Sequence, residues 1–320
     1  MVKMLDEILE QPAAIERCAK HNSDTIRELA ERVKNGDIGS IVLAARGTSD
    51  HAAVYGKYVF EILTGIPVGL SAPSVFTMYH RKLKMDRCLV IGISQSGMAE
   101  DVLEVIRQAN ETGALTVSAT NNAASPLAKE SHYHLDLSAG LEKSVAATKT
   151  FTTEMYLLAS LAARIAGDEG ILEELTRLPG MMTNMLDTPE DIAEKVQRYR
   201  FINECFVLAR GINYAVALEA ALKIQETNYV RAKAYATSDF YHGPLALLDS
   251  DIPVMIFAPK GASFPDIARM AGKLEEMGME MIMVSNDEGM LAKGACRLRI
   301  PDTDNDILSP YFNALHAQMF

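Results

Sequence analysis

One pattern runs through this chain twice, at matching intervals. In the first half an apolar run from Ser40 to Ala45 ends in Arg46-Gly47-Thr48-Ser49 and leads into AAVYGKYVFEILTG, which has helical periodicity. A second apolar run, within RCLVIGISQSG at 87–97, precedes a helix expected from about Ala99 to Thr112 that stops near Gly113. The strand-like ALTVSAT follows and ends in Asn121-Asn122. In the second half FVLARG at 206–211 answers VLAARG at 42–47, and IPVMIFAPKG at 252–261 takes the place of the second run. A helical stretch then spans Asp266 to Met277, and MEMIMVSND at 279–287 stands where ALTVSATNN stood. Arg46 to Phe76 and Arg210 to Phe240 are both 30 residues, Asp101 to Gly113 and Asp266 to Gly278 both 12, and Gly113 to Asn121 and Gly278 to Asn286 both 8. One equality would mean little, because all α/β units share some periodicity. Three in order predict an α/β protein built from two duplicated lobes, each a mostly parallel sheet flanked by helices.

The predicted organisation is a helical lead-in over 1–35, a first lobe over 36–180 and a second lobe over 195–320, with the boundary near 180–195. The lead-in could pack on the first lobe or on a partner. FTTEMYLLASLAARIAG at 151–167 reads as a buried or half-buried helix. ILEELTRLPGMMTNML and PEDIAEKVQRYRFI also carry helix patterning, with Pro179-Gly180 interrupting the first and Pro189 opening the second. A net charge of -11 speaks against a nucleic-acid surface. Cys18, Cys88, Cys205 and Cys296 fit neither a metal module nor a compact disulfide framework, and the seven histidines form no metal-binding signature, so no metal and no cofactor are expected. The first residues lack the apolar core of a signal peptide, and no apolar run approaches the roughly 20 residues of a membrane span. A cytoplasmic protein with no membrane partner is expected.

Two segments suit an anion. Ser94-Gln95-Ser96-Gly97 follows a strand and precedes a helix, where unpaired backbone N–H groups and the positive end of the helix dipole meet two hydroxyls and a glycine. Gly47, Thr48 and Ser49 stand in the same relation to the first strand. Loops at the carboxyl ends of parallel strands are where open α/β sheets bind ligands. The plainer alternative is that Ser and Gly merely start a helix. Neither segment has the glycine spacing of a nucleotide loop.

Candidates for chemistry lie elsewhere. In AGLEKSVAATKTF at 139–151, Glu142 is a possible catalytic carboxylate or a solvated loop acid, and Thr148 and Thr150 could bind substrate hydroxyls or cap the next helix. Glu219, Lys223 and Glu226 fall along one face of an expected helix, either as a surface ion pair or, because apolar residues flank them, as a partly buried acid–base group. His242, ahead of Gly243-Pro244, can take and give a proton near neutral pH, or serve only the loop's structure. His132 and His134 alternate in a strand-like run and are weaker candidates.

The motifs ARGTSDHA, GKYVFE, APSVF, ISQSG, AGLEKSVAATKTF, LARGINYAVALEAALKIQE and YHGPLAL together resemble the sugar-isomerase (SIS) domain family. That family includes the isomerase half of glucosamine-6-phosphate synthase and, closer to this chain, stand-alone glucosamine-6-phosphate deaminases. The resemblance implies two tandem SIS lobes and a homodimer with sites near its interface. It implies that Ser94, Gln95 and Ser96, with Thr48 or Ser49, hold a sugar phosphate, and that Val145 and Ala147 contact the sugar. It places Glu226 as the acid that moves a proton between C1 and C2, with Lys223 beside it. His242 falls on a ring-opening histidine that reaches the neighbouring subunit's site, and Glu142 on a loop acid near the sugar. There are departures. Ala99 stands where the synthase has a phosphate-binding threonine, and Arg46 replaces a cysteine. No glutaminase-like segment is present, so glutamine-dependent synthesis is not expected of these residues alone. The family's tail, with a lysine that closes over substrate, is expected to be absent after Phe320.

The function expected is glucosamine-6-phosphate deamination to fructose-6-phosphate and ammonia. The alternatives are a fructosamine-6-phosphate deglycase, another aldose–ketose isomerase, or a non-catalytic sugar-phosphate sensor.

Overall fold

A computed structural model describes residues 3–187, 192–249, 251–303 and 305–320. The expected helix start at Pro189 lies outside the described residues. Among the described residues, ten strands form two five-stranded sheets. In the first, β1 (Ser40–Ala44), β2 (Val68–Leu70), β3 (Cys88–Ile93), β4 (Leu115–Thr120) and β5 (Tyr133–Asp136) stand in the order β2-β1-β3-β4-β5. In the second, β6 (Glu204–Ala209), β7 (Arg231–Ala236), β8 (Val254–Phe257), β9 (Met281–Ser285) and β10 (Cys296–Arg299) stand in the order β7-β6-β8-β9-β10. Every strand pairing is parallel. The second sheet repeats the first strand for strand, so the structure has the two duplicated α/β lobes that the intervals predict.

The core strands follow from their apolar runs. All six residues of CLVIGI in β3 are buried, as are VMIF in β8 and MIMVS in β9, because helices cover both faces of a parallel sheet. Helix Glu100–Glu111 turns Val102, Leu103, Val105, Ile106 and Ala109 to the first sheet, the stripe expected of an amphipathic helix. Helix Lys149–Ala166 is buried on nearly all sides. In the second lobe, Ile267, Met270, Ala271 and Leu274 of helix Phe264–Glu276 pack with Val254, Ile256 and Met283.

The chain divides into two compact units, residues 9–179 and residues 180–320 with 1–8. The lead-in helix Gln11–Asn35 packs along helix Lys149–Ala166 of the first unit. Its buried Asn22 is tied to β5, donating to Asp136 O at 2.8 Å and accepting from Asp136 N at 2.9 Å. One expectation is corrected. Pro179-Gly180 does not interrupt its helix, which runs from Glu169 to Asp187. A proline removes a single amide from the hydrogen-bond ladder. Burial of Ile171, Leu175, Leu178 and Met182 at helical spacing supports the helix through it.

Candidate functional site

In each sheet the chain leaves its first strand for one side and returns on the other. The carboxyl ends of β1 and β3 therefore flank the point in the first lobe where strand order reverses. The Gly47–Ser49 and Ser94–Gly97 segments both lie there.

After β3, Ser94 is buried, and its hydroxyl accepts from the Gly97 amide at 3.2 Å. Gln95 and Ser96 are exposed, and Ser96 Oγ accepts from Met98 N at 3.2 Å. Gly97 has φ +65, and a Cβ there would stand 2.2 Å from Ser125 Oγ, so only glycine closes this turn. Helix Glu100–Glu111 begins three residues later. Acidic Asp101 in its first turn would repel an anion, but Arg46 from the β1 loop bonds it through Nε at 2.9 Å and Nη2 at 2.6 Å. That hydrogen bond holds the Asp101 carboxyl below its usual range.

The β1 loop differs from the expectation of a polar turn at 46–49. Gly47, at φ +58, makes the turn alone, and the helix starts at Thr48 and runs to Thr64. Helical spacing places Ser49 on the buried face with Ala52, Ala53 and Gly56. Its hydroxyl there donates to the buried Glu154 carboxylate at 2.8 Å. Ser49 is thus spent on the interior rather than on an anion. Thr48, half-buried at the helix start, remains beside the loop.

Asn121, just after β4, joins the Ser94–Gly97 loop to the 139–148 segment. Its N–H donates to Gln95 O at 2.9 Å, its side-chain amide donates to Gly140 O at 2.7 Å, and its Oδ1 accepts from Ala139 N at 3.0 Å. Asn121 carries no site motif in the sequence, although its match with Asn286 in the repeat is a signal, and Lys149 is equally unmarked within AGLEKSVAATKTF. The Lys149 side chain, 2% exposed, bonds Glu10 at 2.6 Å and Leu141 O at 2.9 Å, and so anchors the start of the segment.

Glu142 is engaged in this structure. It accepts from Thr148 N at 2.9 Å, Thr148 Oγ1 at 3.1 Å and Thr150 Oγ1 at 2.5 Å, capping helix Lys149–Ala166. Thr148 points its hydroxyl into the cap rather than outward. Val145 is fully exposed at the tip and Ala147 half-buried. A separate cleft of about 780 Å³ lined by Glu28, Arg32, Asn110, His132 and Tyr133 lies where β4 begins; of the candidates read from the sequence it holds the weaker His132 and none of the residues assigned to phosphate, sugar or proton transfer.

In the second lobe, helix Tyr214–Asn228 carries Glu219, Lys223 and Glu226. Lys223 is buried and bonds Glu219 at 3.3 Å and Glu226 at 2.6 Å. Glu219 is buried, whereas the Glu226 side chain is 33% exposed, so one carboxylate of the triad reaches solvent while an ammonium holds it in place. The surface-pair alternative is therefore excluded by burial. His242 lies in an exposed turn, its backbone N–H bonded to Asp239 O at 3.1 Å. The four cysteines are buried and no disulfide joins them; burial pushes the Cys205 thiol up to about 12, which makes it a poor nucleophile. No cluster of three or more His, Cys, Asp or Glu suited to a metal is present among the described residues.

Two copies of one doubly wound parallel unit, with polar loops at the strand ends, define a tandem-lobe α/β protein. The chain matches the SIS domain over residues 37–164 and 202–320, and it belongs to that family of phosphosugar isomerases. It is 33% identical over 320 residues to the glutamine–fructose-6-phosphate aminotransferase (isomerizing) of Aquifex aeolicus, covering 99% of this chain and 53% of that protein. The Thermococcus kodakarensis protein of the same name is also 33% identical, over 326 residues, with coverage of 99% and 54%. The chain thus spans about half the length of these curated relatives.

Among solved structures, a candidate phosphosugar isomerase from Silicibacter pomeroyi superposes with a TM-score of 0.88 at 32% identity, covering 99% of this chain and 96% of that one. The C-terminal domain of glucosamine-fructose-6-phosphate aminotransferase from Francisella tularensis gives 0.89 at 26%, covering 99% and 93%. Glucosamine-6-phosphate deaminase from Thermotoga maritima gives 0.79 at 25%, covering 99% and 92%. Family membership makes the chain an enzyme. No helix among the described residues is long and apolar enough to cross a membrane.

Proposed function

We propose that this chain moves a proton between C1 and C2 of a phosphorylated amino sugar or its ketose partner, an aldose–ketose isomerisation. The observation that carries the reading is Glu226: a carboxylate one-third exposed, fixed at 2.6 Å by the buried Lys223. Proton transfer between adjacent carbons needs one positioned base that takes the proton from one carbon and returns it to the next. The lysine bonded to the carboxylate holds it in one orientation. The Ser94–Gly97 loop, with Ser96, Gln95 and Thr48, is the proposed phosphate handle. Arg46 assists by neutralising Asp101 at the mouth of that loop. The exposed His242 is the proposed ring-opening acid. Val145 and Ala147 are proposed sugar contacts, and a homodimer is the proposed assembly.

Glutamine–fructose-6-phosphate aminotransferases support the isomerase reading, since their names state an isomerising step. Likeness to the Thermotoga maritima deaminase favours a second reading, in which the C2 imine formed from glucosamine-6-phosphate is hydrolysed to fructose-6-phosphate and ammonia. In D2O, the parent enzyme should exchange the C2 proton of glucosamine-6-phosphate or the C1 proton of fructose-6-phosphate, read by proton NMR. Glu226→Gln should slow exchange about 10²- to 10⁴-fold, the usual worth of a general base. Ammonia release alongside exchange selects deamination, and exchange without ammonia selects isomerisation. A Glu226→Gln enzyme that exchanges at the parent rate sinks the assignment.

A further inference from the structure

We infer that the second lobe's counterpart of the anion loop is already filled by the chain's own carboxylate, Asp306, so that only the first lobe is open to phosphate. The two loops correspond residue for residue. β3 ends at Ile93 and β8 at Phe257, and Ser94-Gln95-Ser96-Gly97 is matched by Ala258-Pro259-Lys260-Gly261. Both loops precede a helix, Glu100–Glu111 in one lobe and Phe264–Glu276 in the other. Gly97 and Gly261 both have positive φ, and in both a Cβ would strike a side chain from further along the chain. In the first lobe that side chain is the neutral Ser125. In the second it is Asp306, whose Oδ1 would lie 1.4 Å from the added atom.

The carboxylate occupies the position an anion would take. Asp306 Oδ2 accepts from Ala262 N at 2.8 Å, and the Ser263 amide also bonds the group. Successive backbone N–H groups at a helix start form an anion-binding nest. The rest of the loop has the character of a binding site rather than of a plain turn. Asn286, 4% exposed, accepts from Lys260 N through Oδ1 at 2.8 Å. Its Nδ2 has no partner among the described residues, nor do Ser263 Oγ and Asp306 Oδ1. Meanwhile the two serines of the first lobe's loop have become Ala258 and Lys260. The turn that delivers Asp306 is fixed, with Ser309 Oγ donating to Asp306 O at 3.0 Å and Asn213 Nδ2 donating to Ser309 Oγ at 3.0 Å. The duplicated lobe has kept its anion nest and satisfied it internally.

The test is site-resolved and does not depend on the reaction. The backbone amide resonances of Ala262 and Ser263 would be followed by NMR in the full chain during titration with inorganic phosphate. In the parent they should not respond. Asp306→Ser should make them shift saturably, with an apparent affinity at least about tenfold above the parent's, since one charge-assisted competitor has gone. Asp306→Asn keeps the shape without the charge and should also respond, so it decides the matter if the serine variant does not fold. Saturable phosphate shifts at Ala262 in the parent would overturn the inference. So would folded Asp306→Ser or Asp306→Asn variants that stay silent.

Discussion

At the scale of single residues, two neighbouring hydroxyls of similar appearance in the sequence have opposite destinations. Ser49 is buried against Glu154, while Ser96 is exposed at the anion loop. Removing a buried donor from a carboxylate costs about 1–3 kcal/mol. Ser49→Ala should therefore lower the unfolding free energy by that amount and leave KM of the folded enzyme near the parent value. Ser96→Ala should do the reverse, raising KM with little change in stability. Denaturant unfolding and steady-state kinetics on both variants check this, and a KM effect confined to Ser49→Ala would reverse the assignment of the two hydroxyls. Glu142 makes the same point for carboxylates. A loop acid in the sequence turns out to be a helix cap with three close donors, a role invisible until the segment folds back on its own helix.

Among the elements, the Ser94–Gly97 loop proposed to hold phosphate depends on a close approach. A side chain at Gly97 meets both an unfavourable φ of +65 and Ser125 Oγ at 2.2 Å. Gly97→Ala should cost on the order of 1–3 kcal/mol from backbone strain alone. It should also weaken sugar-phosphate binding, because relief requires the loop to open. Calorimetry paired with phosphate titration tests both halves, and unchanged phosphate affinity in a destabilised variant would separate the loop from binding. The sheet edges show where element-level reading ran short. β3, β8 and β9 are legible as apolar runs, and β4 as the strand-like LTVSAT. β2, β7 and β10 are not, because an edge strand such as β7, with Arg231 and Lys233 exposed, carries no apolar run to betray it.

Over the molecule as a whole, the repeat carries chemistry as well as topology. The residues whose intervals matched, Arg46 with Asp101 and Arg210 with Asp266, form an ion pair in each lobe, at 2.6 Å and 3.6 Å. Each links the loop after a lobe's first strand to the helix after its third. Both pairs are partly exposed, so their worth is modest. The sign of the pH dependence is nevertheless fixed for the first. Arg46 depresses the Asp101 carboxyl, so the stability it adds is fully present above the unfolded carboxylate value of about 3.9. It is lost as pH falls through the lower folded value. Arg46→Gln should thus lower Tm at pH 7 and match the parent near pH 2–3. It should also raise KM for a sugar phosphate by uncovering the Asp101 charge. A Tm difference that grows on acidification would contradict this.

The sequence alone determined the duplication, the central strands, the buried helix at 151–167 and the placement of SQSG between a strand and a helix. Those rest on local periodicity and on spacing, which the chain carries in itself. Tertiary structure decided which polar groups face inward. It turned Ser49 to Glu154, folded Glu142 into a cap, carried the helix through Pro179, buried Lys223 between two glutamates and brought Asp306 into the second lobe's loop. Each of those outcomes joins groups that periodicity does not pair, and burial sets them, because a polar group removed from water must find a partner wherever the fold supplies one.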